Sequence, residues 1–211
     1  DSDTWALWRF DEGSGSTAYD TTSNNQNCGI QGATWTTGRY NDALDFDGDN
    51  DYVSCDLGGE YPDDFTIEAW IKLDTDLDGL IIGVNVEGAN ALKFGVQNGA
   101  PYVSVLHDDD AFVTLGGDQA PLGTVNLGEM APFAPGEWHH VQASYVPSSL
   151  TLSLIVDDVL STQSNFGLRT KRPVDGEVEI WLAGDGTGAA DTELTDGLID
   201  EVQIRVVREQ N

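Results

Sequence analysis

The sequence predicts an all-β protein in which two antiparallel sheets pack face to face as a sandwich. Apolar and polar residues alternate in short runs, helical periodicity is nearly absent, and clusters of Gly, Asp, Asn and Pro separate the runs. In the clearest run, from Phe65 to Lys72, the residues that share the apolar face are Phe65, Ile67, Ala69 and Ile71. Roughly a dozen strands with turns at short spacing are typical of a β-sandwich.

Each strand is predicted from this alternation or from a short run rich in Val, Ile and Leu. Asn98 and Gly99 predict a hairpin turn, because Asn-Gly favours the tight turns that join antiparallel strands. In chain order the predicted strands are Leu44–Phe46, Tyr52–Cys55, Phe65–Lys72, Leu80–Val84, Leu92–Val96, Tyr102–Leu106, His139–Tyr145, Leu150–Val156, Val178–Leu182 and Leu198–Val206.

We interpret residues 1–211 as a single domain, because no linker-like segment and no internal repeat divides the strands. The widest interval between strong strand patterns is a Gly-, Asp- and Pro-rich insertion at about 107–135. Two short runs inside it, Phe112–Leu115 and Gly123–Leu127, suggest an extra hairpin laid over one sheet face.

The chain is strongly acidic, with 37 Asp and Glu against 9 Lys and Arg and a net charge of −28. No basic stripe is available to neutralise phosphates, which argues against a nucleic-acid partner and against an anionic membrane surface. The apolar runs are too short to span a bilayer, so no membrane insertion is expected. A 39% hydrophobic fraction and 6 Trp argue against disorder.

The acidic residues are mainly aspartates, 26 Asp against 11 Glu, and Asp favours turns. So large a charge repels itself, and either divalent cations or the high salt of a halophile would compensate it. Both alternatives point outside a reducing cytosol. In that setting Cys28 and Cys55 are expected to pair, the alternative being two unrelated buried thiols. The chain begins at Asp1 rather than Met, and we expect a processed or excised part of a multidomain protein.

Several segments resemble, in order, the laminin G-like family of concanavalin A-like domains, over residues from about 5 to 207. The blocks that carry the resemblance are Trp8–Gly15, Ala18–Asn25, Gly32–Trp35, Ala43–Gly48, Asp51–Val53, Phe65–Trp70, Gly136–Val141 and Gly197–Ile204. The resemblance implies a two-sheet jelly roll whose first and last strands are neighbours. Cys28 stands where relatives often carry His, which suggests a local disulfide to the strand that ends at Cys55.

The resemblance also implies a structural calcium ion that bridges the first strand, a nearby loop and the last strand. The matching carboxylates are Asp11, Asp47 and Asp200, and Asp20 lies in a loop that relatives also use. Calcium prefers six to eight oxygen ligands from loops that can wrap around it. The alternative is that these aspartates only organise turns.

A second candidate calcium site is the loop that carries Asp74, Asp76 and Asp78. Their alternate spacing places three carboxylates on one side of a loop, and Gly79 permits a sharp turn. The twelfth position of an EF-hand loop would be a bidentate Glu, and here it is Asn85. The loop therefore matches only the first half of the EF-hand pattern, and the alternative is that it forms an acidic hairpin tip without a metal.

Trp70 and Trp181 are the candidate ligand-binding residues, because each lies on the strand face opposite the predicted core residues. Sugar rings stack on such aromatic surfaces while carboxylates and amides bind their hydroxyls. The alternative is that Trp70 packs structurally beneath a loop. The other Trp residues that we considered, Trp5, Trp8, Trp35 and Trp138, are interpreted as core or edge packing.

No catalytic residues are predicted. Glu177 and Glu179 alternate as in jelly-roll glycoside hydrolases, but the further acids of that pattern are missing. His139 and His140 are neighbours on a strand and point to opposite faces, so together they cannot bind one metal, and we interpret the pair as structural.

The resulting hypothesis is a non-catalytic, secreted or cell-surface module, stabilised by calcium, that recognises carbohydrate. The first alternative is a protein-interaction or spacer domain of a cell-surface adhesin that binds no sugar, with a cell-surface protein as its partner. The second alternative is a jelly-roll glycoside hydrolase or polysaccharide lyase. A carbohydrate-binding module should present an exposed aromatic residue in a groove near acids or amides, whereas a spacer should bury its Trp residues.

Overall fold

A computed structural model of the chain describes residues 3–57, 65–74, 79–86, 89–97, 99–106, 112–116, 133–146, 149, 151–164, 178–184 and 196–206. These residues form sixteen β-strands in two antiparallel sheets and no helix. Within the same ranges, no helix is long and apolar enough to cross a membrane. The architecture is the two-sheet jelly roll that the sequence predicts.

The first sheet has eight strands in the described chain. Their bounds are β1 Thr4–Trp8, β4 Thr34–Thr37, β5 Asp42–Asp47, β7 Phe65–Leu73, β12 His139–Val146, β13 Thr151–Val156, β14 Val159–Ser164 and β16 Asp196–Val206. They follow the order β14-β13-β12-β7-β16-β5-β4, with β1 beside β16, so β7 and β16 lie near the centre of the sheet.

The second sheet also has eight strands in the described chain. Their bounds are β2 Thr17–Ala18, β3 Cys28–Gln31, β6 Tyr52–Asp56, β8 Gly79–Val86, β9 Ala89–Gln97, β10 Ala100–Leu106, β11 Phe112–Gly116 and β15 Val178–Leu182. Their order in the sheet is β11-β10-β9-β8-β15-β6-β3-β2. β11 pairs with β10 at the sheet edge. The expectation that Phe112–Leu115 lies over a sheet face is therefore wrong, and Gly123–Leu127 lies outside the described residues.

The core lies between the sheets and is filled by the inward members of the alternating strands. β7 follows the predicted pattern, because Ile67, Ala69 and Ile71 are buried while Glu68 and Trp70 on the other face are partly exposed. Trp8 is fully buried, and Trp5 and Trp35 pack against the core. These Trp positions agree with the sequence-based interpretation.

The bulge in β16 decides which strands meet at one point of the first sheet. Asp200 pairs with Trp70 and Gln203 with Glu68, so β16 carries one residue more than β7 across this interval. Before the bulge β16 pairs with β5, and after it β16 pairs with β1. The first and last strands are neighbours, as the family resemblance implies.

Cys28 and Cys55 form a disulfide that joins β3 to β6. The two cysteines are one residue beyond the cross-strand pair of Gly29 and Ser54, so adjacent strands bring them together. Both cysteines are buried. The predicted pairing is confirmed.

Candidate functional site

A cavity of about 280 Å³ opens on the face of the first sheet that points away from the core. It lies where β7, β12 and the bulge of β16 are adjacent, next to the end of β1 and the start of β5. Its lining combines two aromatic rings, an imidazole, two carboxylates, an amide and a guanidinium. The lining residues are Arg9, Tyr40, Glu68, Trp70, His140, Glu201 and Gln203.

Three residues beside this cavity adopt the left-handed backbone conformation, which non-glycine residues rarely occupy. They are Phe10 with φ 55°, Asn41 with φ 46° and Glu201 with φ 50°. Asn tolerates this region well, whereas Phe and Glu do so at a cost of about 1 kcal/mol or more. Phe10 follows the lining residue Arg9, and Asn41 follows Tyr40. The cavity is therefore formed where β1, β5 and β16 turn sharply.

Trp70 is packed between β12 and the loop that precedes β5. On the β12 side the imidazole of His140 lies with its centroid 5.0 Å from the Trp70 ring. From the loop, Cζ of Arg39 lies 4.7 Å from the centroid of Trp70, a cation–π geometry. The Tyr40 ring meets Trp70 edge-on, with centroids 6.1 Å apart. Trp70 supports the cavity, and Tyr40, 45% exposed, is the more accessible aromatic residue.

Both lining glutamates are bound to arginines. Glu68 accepts a hydrogen bond from Nη2 of Arg205 at 3.0 Å, and Nε of Arg205 lies 3.0 Å from its other oxygen. Nη1 of Arg9 donates to Oε1 of Glu201 at 3.1 Å. Burial raises the pKa of Glu201, while Arg9 opposes that shift. These ion pairs fix the two carboxylates on the cavity wall.

Asp200 anchors the loop that carries Arg39 and Tyr40. Its side chain is fully buried, and Oδ2 accepts a hydrogen bond from the backbone N–H of Tyr40 at 2.9 Å. Burial raises the pKa of Asp200 to about 6, although the backbone amides around it favour the charged form. Gly38 approaches so closely that a Cβ there would lie 2.7 Å from Oδ2. Only glycine fits this close approach.

The carboxylates of the first predicted calcium set each have hydrogen-bond partners of their own. Asp11 accepts a hydrogen bond from Nδ2 of Asn41 at 3.2 Å. Asp20 uses both oxygens on donors of its own turn and of β1, including the backbone N–H groups of Leu7, Thr22 and Gln26. Asp20 and Oδ2 of Asp200 thus face N–H donors, whereas Oδ1 of Asp200 is buried without a hydrogen-bond partner in the described part of the chain. Across the described ranges, no group of three or more His, Cys, Asp or Glu side chains is placed to hold a metal ion.

Asp47, the remaining member of that set, lies instead in an acidic cluster that we define as Asp45, Asp47, Asp51, Asp74 and Asp196. Burial raises the pKa of Asp45, and the charges of Asp74, Asp196, Asp51 and Asp47 raise it further. Burial likewise raises the pKa of Asp51. The cluster joins members of the two predicted calcium sites, Asp47 and Asp74, while Asp76 and Asp78 lie outside the described residues.

A laminin G family model, described as the concanavalin A-like lectin/glucanases superfamily, matches residues 47–209. The chain belongs to this superfamily. No curated protein matches the chain in sequence.

Solved structures that resemble this lectin/glucanase-type domain include binding domains of bacterial toxins. The binding domain of botulinum neurotoxin serotype D aligns with TM-score 0.70 and 14% identity, covering 99% of this chain and 49% of that one. A complex of the serotype D ligand-binding domain with N-acetylneuraminic acid gives TM-score 0.70 and 14% identity, with coverage of 99% and 48%. The binding domain of Paraclostridial Mosquitocidal Protein 1 gives 0.69 and 14%, with coverage of 99% and 50%. The chain therefore spans about half of each, and the likeness concerns the fold alone.

On the second sheet of this superfamily fold, Trp181 lies on the outward face, as predicted. Its ring packs against Tyr52, with centroids 5.0 Å apart, and its Nε1 donates to Glu179 at 3.2 Å. Nearby on the same face Asn85 and Ser104 are buried. Glu177 lies outside the described residues. Trp181 and Trp70 are both half-buried.

Sequence reasoning missed most of the cavity around Trp70. Arg39 and Tyr40 lie in a turn that carries no motif, and their contact with Trp70 depends on the buried Asp200. His139 and His140 face opposite sides of the sheet, as predicted, but His140, which was interpreted as structural, lines the cavity, while His139 packs on Phe133. The β16 bulge had a signal, because its apolar residues recur at 199, 202 and 204 rather than in strict alternation.

Proposed function

We propose that this chain is a non-catalytic binding module that recognises carbohydrate at the cavity beside Trp70. One observation carries the proposal: the exposed ring of Tyr40 stands at a cavity whose wall holds carboxylates, an amide and an imidazole. This is the arrangement expected of a sugar site, in which an aromatic surface contacts C–H groups and polar groups bind hydroxyls. Its volume, about 280 Å³, suits a short saccharide or the end of a chain.

Three polar side chains of the wall, Gln203, Glu68 and Glu201, would bind sugar hydroxyls in this proposal. Gln203 can donate and accept hydrogen bonds, although its amide nitrogen already donates to Oγ1 of Thr4 at 2.7 Å. Glu68 and Glu201 keep acceptor capacity beyond their arginine partners, since a carboxylate offers about four acceptor positions. The site therefore offers several acceptors for sugar hydroxyls, held in place by ion pairs.

The ion pairs favour binding over hydrolysis. A glycosidase needs one carboxyl group as a proton donor and another as nucleophile or base. Here both lining carboxylates are already engaged by guanidinium groups, Glu68 by Arg205 and Glu201 by Arg9, and in this proposal they serve to position hydroxyl groups. The absence of new reducing ends after incubation with polysaccharides that bind would support a non-catalytic role, and their release would contradict it.

The disulfide supports a location outside the reducing cytosol, either secreted or at the cell surface. The toxin structures with the same fold are binding domains of longer chains, and this chain spans about half of their length. We therefore propose that it serves as the recognition part of a larger extracellular protein.

Calcium is a separate proposal and concerns the acidic cluster rather than Asp11, Asp20 and Asp200. Carboxylate oxygens are the ligands that calcium prefers, and a cation near Asp47, Asp74 and Asp196 would offset the repulsion that raises the pKa of Asp45. The described carboxylates do not form a complete ligand set, so high salt is the alternative source of compensation.

The test of the carbohydrate proposal is a glycan array screened with the wild type and two variants. Tyr40→Ala removes the exposed ring at the cavity. Tyr19→Ala removes a ring that is 56% exposed elsewhere on the surface and serves as the matched control. We expect glycan binding that Tyr40→Ala weakens at least tenfold and Tyr19→Ala leaves unchanged. Absence of binding by the wild type would favour the protein-interaction or spacer alternative.

A further inference from the structure

Arg39 differs from the other arginines of the described chain in having no carboxylate side chain as a partner. Arg9 is paired with Glu201, and Arg205 is paired with Glu68. The Arg39 guanidinium instead contacts two aromatic rings, with Cζ 4.7 Å from the centroid of Trp70 and 5.3 Å from that of Tyr40. The residue is exposed. In a chain of net charge −28, an exposed arginine is expected to attract a carboxylate from the chain itself, and Arg39 has none as a partner in the described chain.

The position of Arg39 is fixed from two sides. The two rings hold its side chain by cation–π contact, which leaves the N–H groups at the edge of the guanidinium plane available for hydrogen bonds. Its backbone is held next to Tyr40, whose amide donates to the buried Asp200. Such a guanidinium loses little further conformational freedom when it binds an anion, since it is already ordered.

The two carboxylates that line the cavity beside Arg39 are each paired with another arginine. Arg205 and Arg9 offset the charges of Glu68 and Glu201, so a second anion entering the cavity meets paired rather than bare carboxylates. Arg39 touches Tyr40 and Trp70, both of which line the cavity. A ligand that contacts the Tyr40 ring therefore lies within reach of the one unpaired guanidinium of the described chain.

We infer that the ligand is an acidic saccharide and that Arg39 binds its carboxylate. The inference rests on the proposed carbohydrate function and adds the chemical class of the sugar, a uronic or sialic acid. The planar guanidinium can donate two parallel N–H···O bonds to the two oxygens of a carboxylate. A neutral sugar has no carboxylate to accept this pair of bonds. The Tyr40 ring contacts the sugar ring, and the paired glutamates and Gln203 bind its hydroxyls.

The experiment compares acidic oligosaccharides with their methyl esters by isothermal titration calorimetry. The probes are oligogalacturonate, hyaluronan oligosaccharide and sialyllactose, each as free acid and as ester, with lactose and a sulfated oligosaccharide as further arms. Arg39→Gln removes the guanidinium charge at the site, and Lys93→Gln removes a positive charge on β9 of the other sheet as the matched control.

We expect at least one acid to bind at least tenfold more tightly than its ester, about 1.4 kcal/mol. Arg39→Gln should remove this difference, and Lys93→Gln should keep it. Equal binding of acid and ester, binding of lactose or the sulfated probe alone, or an unchanged preference in Arg39→Gln would overturn the inference while leaving carbohydrate recognition in place. If no saccharide binds, both the carbohydrate function and this inference fail.

Discussion

Asp200 accepts a hydrogen bond from the backbone N–H of Tyr40 at 2.9 Å, with its own side chain fully buried. This contact joins the last strand to the turn before β5 and holds that turn beside Trp70. The positions of Arg39 and Tyr40 beside the cavity therefore depend on the buried carboxylate of Asp200 as well as on the contacts of their own side chains. The candidate site depends on a group that solvent does not reach.

The first prediction concerns the pH dependence of stability. Folding raises the pKa of Asp200 from 3.8 to about 6 because the carboxylate is buried. Between those values the folded chain holds more protons than the unfolded chain, so the free energy of unfolding falls as pH rises through this window. The contribution is on the order of 3 kcal/mol. The raised pKa values of Asp45, Asp51 and Glu201 act in the same direction.

Urea unfolding at pH 5.0 and pH 7.5 measures this effect, and we expect greater stability at the lower pH. Asp200→Asn removes the titrating group and should shrink the difference between the two pH values. Asp20→Asn is the contrasting variant: it replaces an oxygen that accepts backbone N–H bonds and should cost about 1–3 kcal/mol at both. Equal pH sensitivity in Asp200→Asn and the wild type would contradict the role of Asp200.

The second prediction concerns the disulfide between Cys28 and Cys55. It closes a loop with a sequence separation of 27 residues between two buried positions of adjacent strands. Replacing both cysteines by alanine should lower the free energy of unfolding by about 2–4 kcal/mol, because the unfolded chain gains freedom. Chemical denaturation of the double variant tests this, with the wild type under reducing conditions as the comparison. A change below about 0.5 kcal/mol would show that the bridge contributes little.

The third prediction concerns the acidic cluster. Millimolar CaCl₂ should raise the melting temperature more than NaCl of equal ionic strength, because a bound divalent cation stabilises only the folded chain. Asp45→Asn relieves part of the repulsion from its neighbours and should reduce that response. Equal effects of the two salts would favour screening over specific calcium binding, and stability that keeps rising in molar salt would favour adaptation to high salt.

The sequence was sufficient for the parts of the structure that depend on local pattern. Alternation in β7 and β15 predicted that Trp70 and Trp181 point away from the core, and both do. The pairing of Cys28 with Cys55 was also predicted, from the context of two cysteines and from the family resemblance. These features are visible because strand periodicity assigns each side chain to one face of a sheet.

The composition of the cavity was not predictable in the same way. Arg9, Arg39 and Glu68 come from distant parts of the chain, and only sheet pairing and the β16 bulge bring them together. Asp200 was interpreted as a calcium ligand from its place in a family block. In the structure its side chain accepts a hydrogen bond from the backbone N–H of Tyr40. A single sequence does not reveal which partner a buried carboxylate finds across the sheet.

The most direct test of the carbohydrate site follows the indole N–H signals of the Trp residues by NMR during titration with a glycan that binds on the array. Trp70→Phe and Trp181→Phe assign the two signals that matter. Because Trp70 supports the cavity, its signal should shift with ligand concentration while the Trp181 signal stays unchanged. A shift of the Trp181 signal with no change at Trp70 would place the site on the second sheet and rule out binding at the cavity.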